Sequence, residues 1–246
     1  MKPKSFHAAV VDRLAAMIIE GERGMGSQLP IEGELCLSMG VSRTVLREAV
    51  KTLVAKGMVT TGPRTGTHVQ PPANWNLLDP DVIRWRLAAG VDQAFVRDIL
   101  ELRLAIEPEA AKLAAERADA RDIARLRAAY DAMDRAVSAG GGGYLDADLD
   151  FHETILAAAH NQFFAALTPA VDALLRVSFR FSVKSRESAR SSLPLHRSLA
   201  DAIAAGDAAA AEASIRQLIA AARSDIESDM ARDDFLAVDG GVDAAA

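Results

Sequence analysis

The run Gln70-Pro71-Pro72-Ala73-Asn74 constrains this chain more than any other feature, because no helix or strand can continue through it. Consecutive prolines lack the backbone N–H, fix φ, and push the preceding residue into extended conformation. The 246 residues suffice for two cores, and the break sets the expected boundaries. A first domain is expected over 1–70, a linker with a docking helix over 71–92, a second domain over 93–235, and a frayed tail rich in Gly, Asp and Ala over 236–246. Charge divides the same way. Residues 1–72 carry nine Lys/Arg against six Asp/Glu and the rest carry 19 against 28, so a basic head precedes an acidic body although the net charge is −6. Local cations can serve phosphate contacts whatever the total. No apolar stretch approaches bilayer length, and no apolar run follows the lysines of Met1 to His7, so neither membrane insertion nor secretion is expected. The lone Cys36 can form no internal disulfide and reads as a reduced, buried hydrophobe; the expected compartment is the cytoplasm.

In the first seventy residues Val10, Leu14, Met17 and Ile18 mark a helix ending near Gly21. After a loop through Gly24, Gly26 and Pro30, a short helix is expected from Ile31 to Met39 with Leu35 inward. Gly40 supplies a positive-φ turn, and Ser42 N-caps a longer helix from Arg43 to Lys56. Two helices joined by a glycine-containing turn form a helix-turn-helix. Val45, Leu46, Ala49, Val50, Leu53 and Val54 are expected to be the buried stripe of the second helix, leaving Arg43, Thr44, Arg47 and Lys51 on other faces. Such a helix can enter the major groove, where arginine pairs bidentately with guanine. From Met58 to Val69 weak alternation, interrupted by turn residues, predicts a two-stranded wing with Arg64, Thr65 and Gly66 at its tip and His68 nearby.

The runs Leu29-Pro30-Ile31-Glu32-Gly33-Glu34-Leu35, Val41-Ser42-Arg43-Thr44-Val45-Leu46-Arg47-Glu48-Ala49 and Arg64-Thr65-Gly66-Thr67-His68-Val69, with Leu53 and Gly57 between the last two, resemble the DNA-binding domain of the GntR family of transcription regulators. The resemblance implies that Arg43, Thr44 and Arg47 contact DNA from the recognition helix and that Gly66 belongs to a wing tip reaching the minor groove. Ser42, Lys51, Arg64, Thr65 and His68 complete the expected DNA-binding set. The competing reading of these cations is a solvated helix face.

Beyond the prolines, Leu77, Leu78, Val82, Ile83 and Trp85 around Asp79-Pro80 predict a short helix beginning at the proline and docking across the domain junction, where it would couple the domains. From Gln93 every segment reads as helix. Ile123, Leu126, Tyr130, Met133 and Val137 recur at helical spacing behind an Asp119 cap, and further helices are expected near 145–159, 163–186, 194–205 and 207–231. The expected fold is therefore mainly α: an N-terminal winged helix-turn-helix (α+β) followed by an all-α antiparallel helical bundle, whose interior is a usual place for ligands and metals.

Several polar residues are not needed by such a bundle. Asp148 and His152, four apart, stack on one helix face, and His196 near the start of another helix could supply a third ligand to a divalent metal. Surface pairs and core histidines remain the plain alternative. Arg103 and Glu107 are also four apart, either an ion pair or a fork presented to a carboxylate. Arg176 and Arg180 share a face and could bind ligand hydroxyls or a second anion, or instead lie in solvent or a dimer interface. His160, in a loop, reads as a structural hydrogen-bond donor or acceptor.

Asp148-Leu149-Asp150-Phe151-His152, Ala159-His160-Asn161, Leu195-His196-Arg197-Ser198-Leu199 and Ala202 to Asp207 resemble the helical effector (FCD) domain of the FadR-like branch of the GntR family. Metal-binding members join the aspartate and first histidine with two more histidines. His196 matches one and Leu218 stands at the other, so water or an effector carboxylate would complete a zinc sphere. The resemblance also implies that Arg103 binds an effector carboxylate, with Glu107, Arg176 and Arg180 as further effector-site candidates. Asn74 to Trp85 is similar to a group that represses aldonate catabolism, which makes a hexonate-like sugar acid the preferred effector. The expected protein is a homodimeric repressor that reads a palindromic double-stranded operator and is released by its effector. Two alternatives stay open, a metal-dependent hydrolytic enzyme using Asp148, His152 and His196, and a DNA-binding protein with no ligand response. No general base, Ser-His-Asp set or phosphate-cradling glycine loop stands out for the enzyme.

Overall fold

The computed structural model describes residues 6–21, 26–63, 65–90, 93–140, 142–182 and 186–230, without the side chains of 180–182, 186–188 and 229–230. Expectations for Gly24, Arg64, the side chain of Arg180 and the tail 236–246 lie outside the described residues. The chain divides into two compact units, Met1–Val91 and Asp92–Ala246.

The first unit is built from α1 (Phe6–Ile19), α2 (Glu32–Met39), α3 (Arg43–Ala55), an antiparallel hairpin of β1 (Val59–Gly62) and β2 (Gly66–Val69), and α4 (Pro80–Ala88). Ile31 is the N-cap of α2 and Lys56 the C-cap of α3, so both expected helices are one residue shorter at those ends. Gly40 ends α2 at φ +66°, and the Ser42 hydroxyl accepts from Val45 N at 3.3 Å to start α3. Val69, His68, Thr67 and Gly66 pair with Val59, Thr60, Thr61 and Gly62. The segment before α2 adds to the other edge of β2, with Leu29 N donating to Thr67 O at 2.8 Å and Val69 N donating to Ser27 O at 3.0 Å. Leu14, Leu46, Ala49, Leu53 and Met58 form the centre of the core, and Cys36 is half-buried against it. Val54 is a correction to the expected stripe. It is 39% exposed because Leu53 takes the inward position in the last turn of α3 and an adjacent helical residue points about 100° away.

Residues 71–90 also pack within this unit. Trp75, Val82 and Trp85 join its core, Trp85 Nε1 donates to Asp12 Oδ1 on α1 at 2.6 Å, and Lys56 Nζ reaches Asp79 at 2.7 Å and Asp81 at 3.0 Å. Asp79 also N-caps α4 ahead of Pro80.

The second unit is all helix among the described residues: α5 (Gln93–Arg117), α6 (Ala120–Ser138), α7 (Tyr144–Ala158), α8 (Gln162–Ser182), α9 (Arg186–Ala204) and α10 (Ala208–Met230). Helix α5 is central, bordered by α7, α8, α9 and α10, and α6 covers α7 and α9. Asp119 starts α6 with a capping box. Helix α8 is described through Ser182, and the expectation that it runs on toward 186 falls on 183–185, outside the described residues. The expected start of the next helix at 194 is corrected: α9 begins at Arg186 and carries Pro194 inside it. Ala189, Leu193, His196, Leu199, Ala200 and Ile203 are buried at three- and four-residue spacing on both sides of the proline, and this continuous packed stripe holds the helix through the missing hydrogen bond.

Candidate functional site

On the first unit, α3 places Arg43, Thr44, Arg47 and Lys51 in solvent, with Ser42 at its start also exposed. Positions 43, 47 and 51 recur every four residues, so they line one side of the helix opposite Leu46, Ala49 and Leu53. The cations are not equivalent. Lys51 pairs with Glu48 at 2.8 Å one turn earlier, whereas Arg47 crosses to α2, its Nε 2.6 Å from Glu32 Oε1 and its Nη2 3.1 Å from Oε2. Glu32 was absent from the sequence-derived set; its partner lies fifteen residues away, beyond the reach of helical spacing. Its carboxyl is held below the ordinary value chiefly by the hydrogen bond from Arg47. On the hairpin Thr65 and Gly66 are exposed and His68 is half-buried opposite Thr60. Gly66 has φ +80°, a backbone conformation that favours glycine, and a Cβ there would also meet the Gln28 side-chain amide at 2.3 Å.

The second unit contains a cavity of about 340 Å³ lined by Arg103 from α5, Tyr144, Asp148 and His152 from α7, Ser178 from α8, and His196 from α9, with Leu218 and Asp225 from α10 closing it. Five separated stretches of sequence thus bring their polar side chains to one space. Arg103 is 2% and Glu107 3% exposed, and they form a two-point ion pair, Nε to Oε1 at 2.5 Å and Nη2 to Oε2 at 3.3 Å. Arg103 Nη1 donates to Ser178 Oγ at 3.0 Å. These contacts use the side-on edge of the guanidinium and one Nη1 hydrogen; one N–H on each of Nη1 and Nη2 remains to be offered to an anion.

Glu107 does not line the cavity. It works behind it, where Oε2 lies 3.1 Å from His152 Nδ1. Burial pushes the Glu107 carboxyl up, but Arg103 and His152 outweigh it and hold it down at about 2. An ionised Glu107 accepts the Nδ1 hydrogen, which leaves the lone pair of His152 on Nε2, buried and without a hydrogen-bond partner. His196 is set the same way. Its Nδ1 lies 2.9 Å from Ser192 O, an acceptor only, so Nδ1 carries the hydrogen and Nε2 the lone pair. That Nε2 is 3.0 Å from Asp148 Oδ1 without the alignment of a hydrogen bond. That nitrogen thus stands beside the carboxylate, buried and without an aligned hydrogen bond, in a place where a cation could be held by both.

Asp148, His152 and His196 each offer a ligand atom, all within 4.8 Å of one another, and each is buried. Two imidazole nitrogens and a carboxylate, each nitrogen fixed by an outer partner, are a donor set that could hold a divalent transition metal. Leu218 offers no ligand atom at the remaining wall.

Other expected residues fall elsewhere. Arg176 pairs with Asp172 at 3.0 Å, half-exposed and not among the cavity-lining residues. His160 takes φ +46° after α7 and its Nε2 lies 2.7 Å from Asp122. Ser191, Ser192, Ser224, Tyr144 and Asp225, which sequence reading did not single out, add hydroxyls and a second carboxylate to the cavity. Nothing in their spacing distinguishes them from surface residues, and only the assembled bundle groups them.

The model of bacterial regulatory proteins of the gntR family matches residues 6–69, and the FCD domain model matches residues 98–221. The chain is 34% identical over 212 residues to the galactonate operon transcriptional repressor of Escherichia coli (strain K12), which covers 86% of this chain and 92% of that protein. It is 34% identical over 163 residues to the putative L-lactate dehydrogenase operon regulatory protein of the same organism, 65% of this chain and 60% of that one. A solved structure described as Lar, which controls the expression of the Listeria monocytogenes agr system, aligns with a TM-score of 0.66 and 21% identity over 93% of this chain and 99% of that one, a likeness of fold. The described residues include no helix long and apolar enough to cross a membrane. The chain belongs to the gntR family, with an FCD domain as its second unit, and is a DNA-binding transcription regulator and not an enzyme.

Proposed function

We propose that this regulator is a homodimeric repressor seated on a palindromic operator by two recognition helices and two wings, and released when a hydroxy-carboxylate enters the cavity of the helical unit. Arg43, Thr44, Arg47 and Lys51, with Ser42, contact DNA from α3, and Thr65, Gly66 and His68 from the wing. The carboxylate of the effector takes the remaining N–H groups of Arg103, and its hydroxyls reach Ser191, Ser192, Ser224 and Tyr144. Asp148, His152 and His196 hold a divalent ion, zinc in the first place, which when bound supplies positive charge and open positions to oxygen ligands.

The observation that carries this reading is the convergence, inside one cavity, of two lone-pair-bearing imidazole nitrogens and a carboxylate with an arginine that keeps two hydrogens to give. A hexonate-like sugar acid is favoured. Galactonate and lactate, named in the two relatives, are both 2-hydroxy acids, and the hydroxyl lining suits the longer one. Effector binding shifts the population toward a state of lower operator affinity.

The test titrates galactonate, gluconate and L-lactate into chelator-stripped and zinc-loaded protein by calorimetry, and repeats the acids in gel shifts on a duplex enriched by the protein from a random library. A sugar acid that binds the loaded protein and releases the duplex supports the reading. No heat and no release with any of the three acids overturns it.

A further inference from the structure

We infer that Glu32 is a specificity-determining residue of the DNA-reading face, one that aims Arg47. This rests on α3 being the helix that contacts DNA. Arg47 is 65% exposed, and a long cationic side chain on an open helix face would ordinarily sample many rotamers and meet any phosphate. Here its side-on edge is taken at two points by Glu32, which projects from the first turn of the neighbouring helix. The pairing fixes the guanidinium plane and leaves the end-on N–H pair directed away from Glu32, and that pair matches the O6 and N7 acceptors of guanine in the major groove.

The carboxylate has a second effect. Both Arg47 and Arg43 act on the Glu32 charge, so a negative group sits inside the cationic stripe and weakens contacts made by charge alone. Sequence-independent binding is almost wholly such contact. Glu32 therefore favours base reading twice, by holding Arg47 in a presenting orientation and by lowering affinity for arbitrary duplex. The pair lies along a cleft of about 500 Å³ between the start of α2, α3 and the wing, where Lys51, Thr61 and Gly66 also lie, so the held arginine belongs to the same surface as the other DNA-facing groups.

The experiment enriches a duplex from a random library with the wild-type full chain, then measures by fluorescence anisotropy the affinities for that duplex and a shuffled one of equal composition. The proteins compared are wild type, Glu32→Gln, Glu32→Asp, Arg47→Lys, Arg47→Ala and the Glu32→Gln/Arg47→Ala double variant. Glu32→Gln is expected to bind shuffled duplex more tightly, to steepen the salt dependence of binding by up to about one counterion, and to lower the ratio of enriched to shuffled affinity about fivefold or more. Arg47→Lys, which keeps the charge and loses the fork, should lose the ratio likewise, while Glu32→Asp retains most of it. Adding Glu32→Gln to Arg47→Ala should leave the ratio where Arg47→Ala alone puts it. An unchanged ratio in Glu32→Gln overturns the inference, as does an unchanged ratio in Arg47→Lys or an equal further loss in the Arg47→Ala background. If Glu32→Gln fails to fold, the Arg47→Lys ratio decides alone. A wild-type protein that enriches no sequence overturns the DNA-reading assignment itself, and the inference with it.

Discussion

Replacing Arg103 by Met removes one charge from a pair in which both members are almost wholly buried, and leaves the Glu107 carboxylate in the bundle with only His152 beside it. Two magnitudes bear on the outcome. Truncating one partner of a buried ion pair generally costs about 3–5 kcal/mol. Independently, the depression of the Glu107 carboxyl from its ordinary 4.5 to about 2 corresponds to about 3 kcal/mol of preference for the ionised form in the fold, of which Arg103 is the largest favourable source. Because His152 Nδ1 still lies 3.1 Å from the stranded carboxylate, the lower figure governs, and about 3 kcal/mol becomes a fall in melting temperature of about 6–12 °C for a unit of this size. The sign with pH follows from the depression. A carboxyl held low in the fold adds stability that is complete above its unfolded value near 4.5 and is lost progressively as pH falls from there to about 2. Arg103→Met abolishes that contribution, so the variant and wild type should differ most at neutral pH and converge as acidification carries the wild type from about 4.5 to about 2. Far-UV circular dichroism follows the helical unit, and fluorescence of Trp75 and Trp85, the two tryptophans of the chain, follows the first unit in the same sample. Adding Glu107→Gln to Arg103→Met should restore most of the lost stability. A neutral-pH melt within about 2 °C of wild type, or no recovery in the double variant, refutes the argument.

Gly57→Ala should destabilise the first unit by about 2 kcal/mol or more, since φ is +72° and the added Cβ would stand 2.2 Å from Asn74 O, a backbone atom that cannot rotate away. The tryptophan melt reads this directly, and an unchanged midpoint would show that the segment after the wing yields. Leu218→His should return a fourth ligand to the Asp148, His152 and His196 cluster and raise zinc affinity by about tenfold or more in competition with a chromophoric chelator, an effect at least as large as changes behind a ligand shell produce. Unaltered zinc affinity in that variant places Leu218 too far from the cluster to matter.

What could be read along the sequence was set by short-range rules. Ser42 and Asp119 announce helix starts because a cap acts within three residues, Pro80 announces another because its ring presets the first turn, and Gly40 announces a turn because its backbone alone decides. The i,i+4 spacing likewise brought Asp148 to His152 and Arg103 to Glu107. Other features need the folded chain. Pro194 reads as a helix start by local preference, and only the buried stripe on either side shows why the helix persists. Arg103 meets Ser178 across 75 residues and Arg47 meets Glu32 across fifteen, distances at which spacing carries no signal. The same i,i+4 rule cannot say whether a pair is exposed and weak, like Arg176 with Asp172, or buried and decisive, like Arg103 with Glu107.

That difference in burial bears on the proposed response to a ligand. Glu107 takes the side-on edge of Arg103 and also lies against His152 Nδ1, so a single carboxylate orients both the edge offered to an anion and the nitrogen offered to a cation. It also cancels the charge of Arg103, leaving Asp148 as a buried negative group in the cavity wall. A carboxylate entering such a space meets repulsion that the remaining hydrogens of Arg103 alone do not offset, whereas a divalent ion on Asp148, His152 and His196 reverses the local sign. Acid and ion should then each strengthen the binding of the other by the same factor, because coupling between two ligands is reciprocal. Zinc should accordingly bind more tightly in the presence of the effective sugar acid, and equal zinc affinity with and without the acid would separate the two sites that Glu107 appoints together.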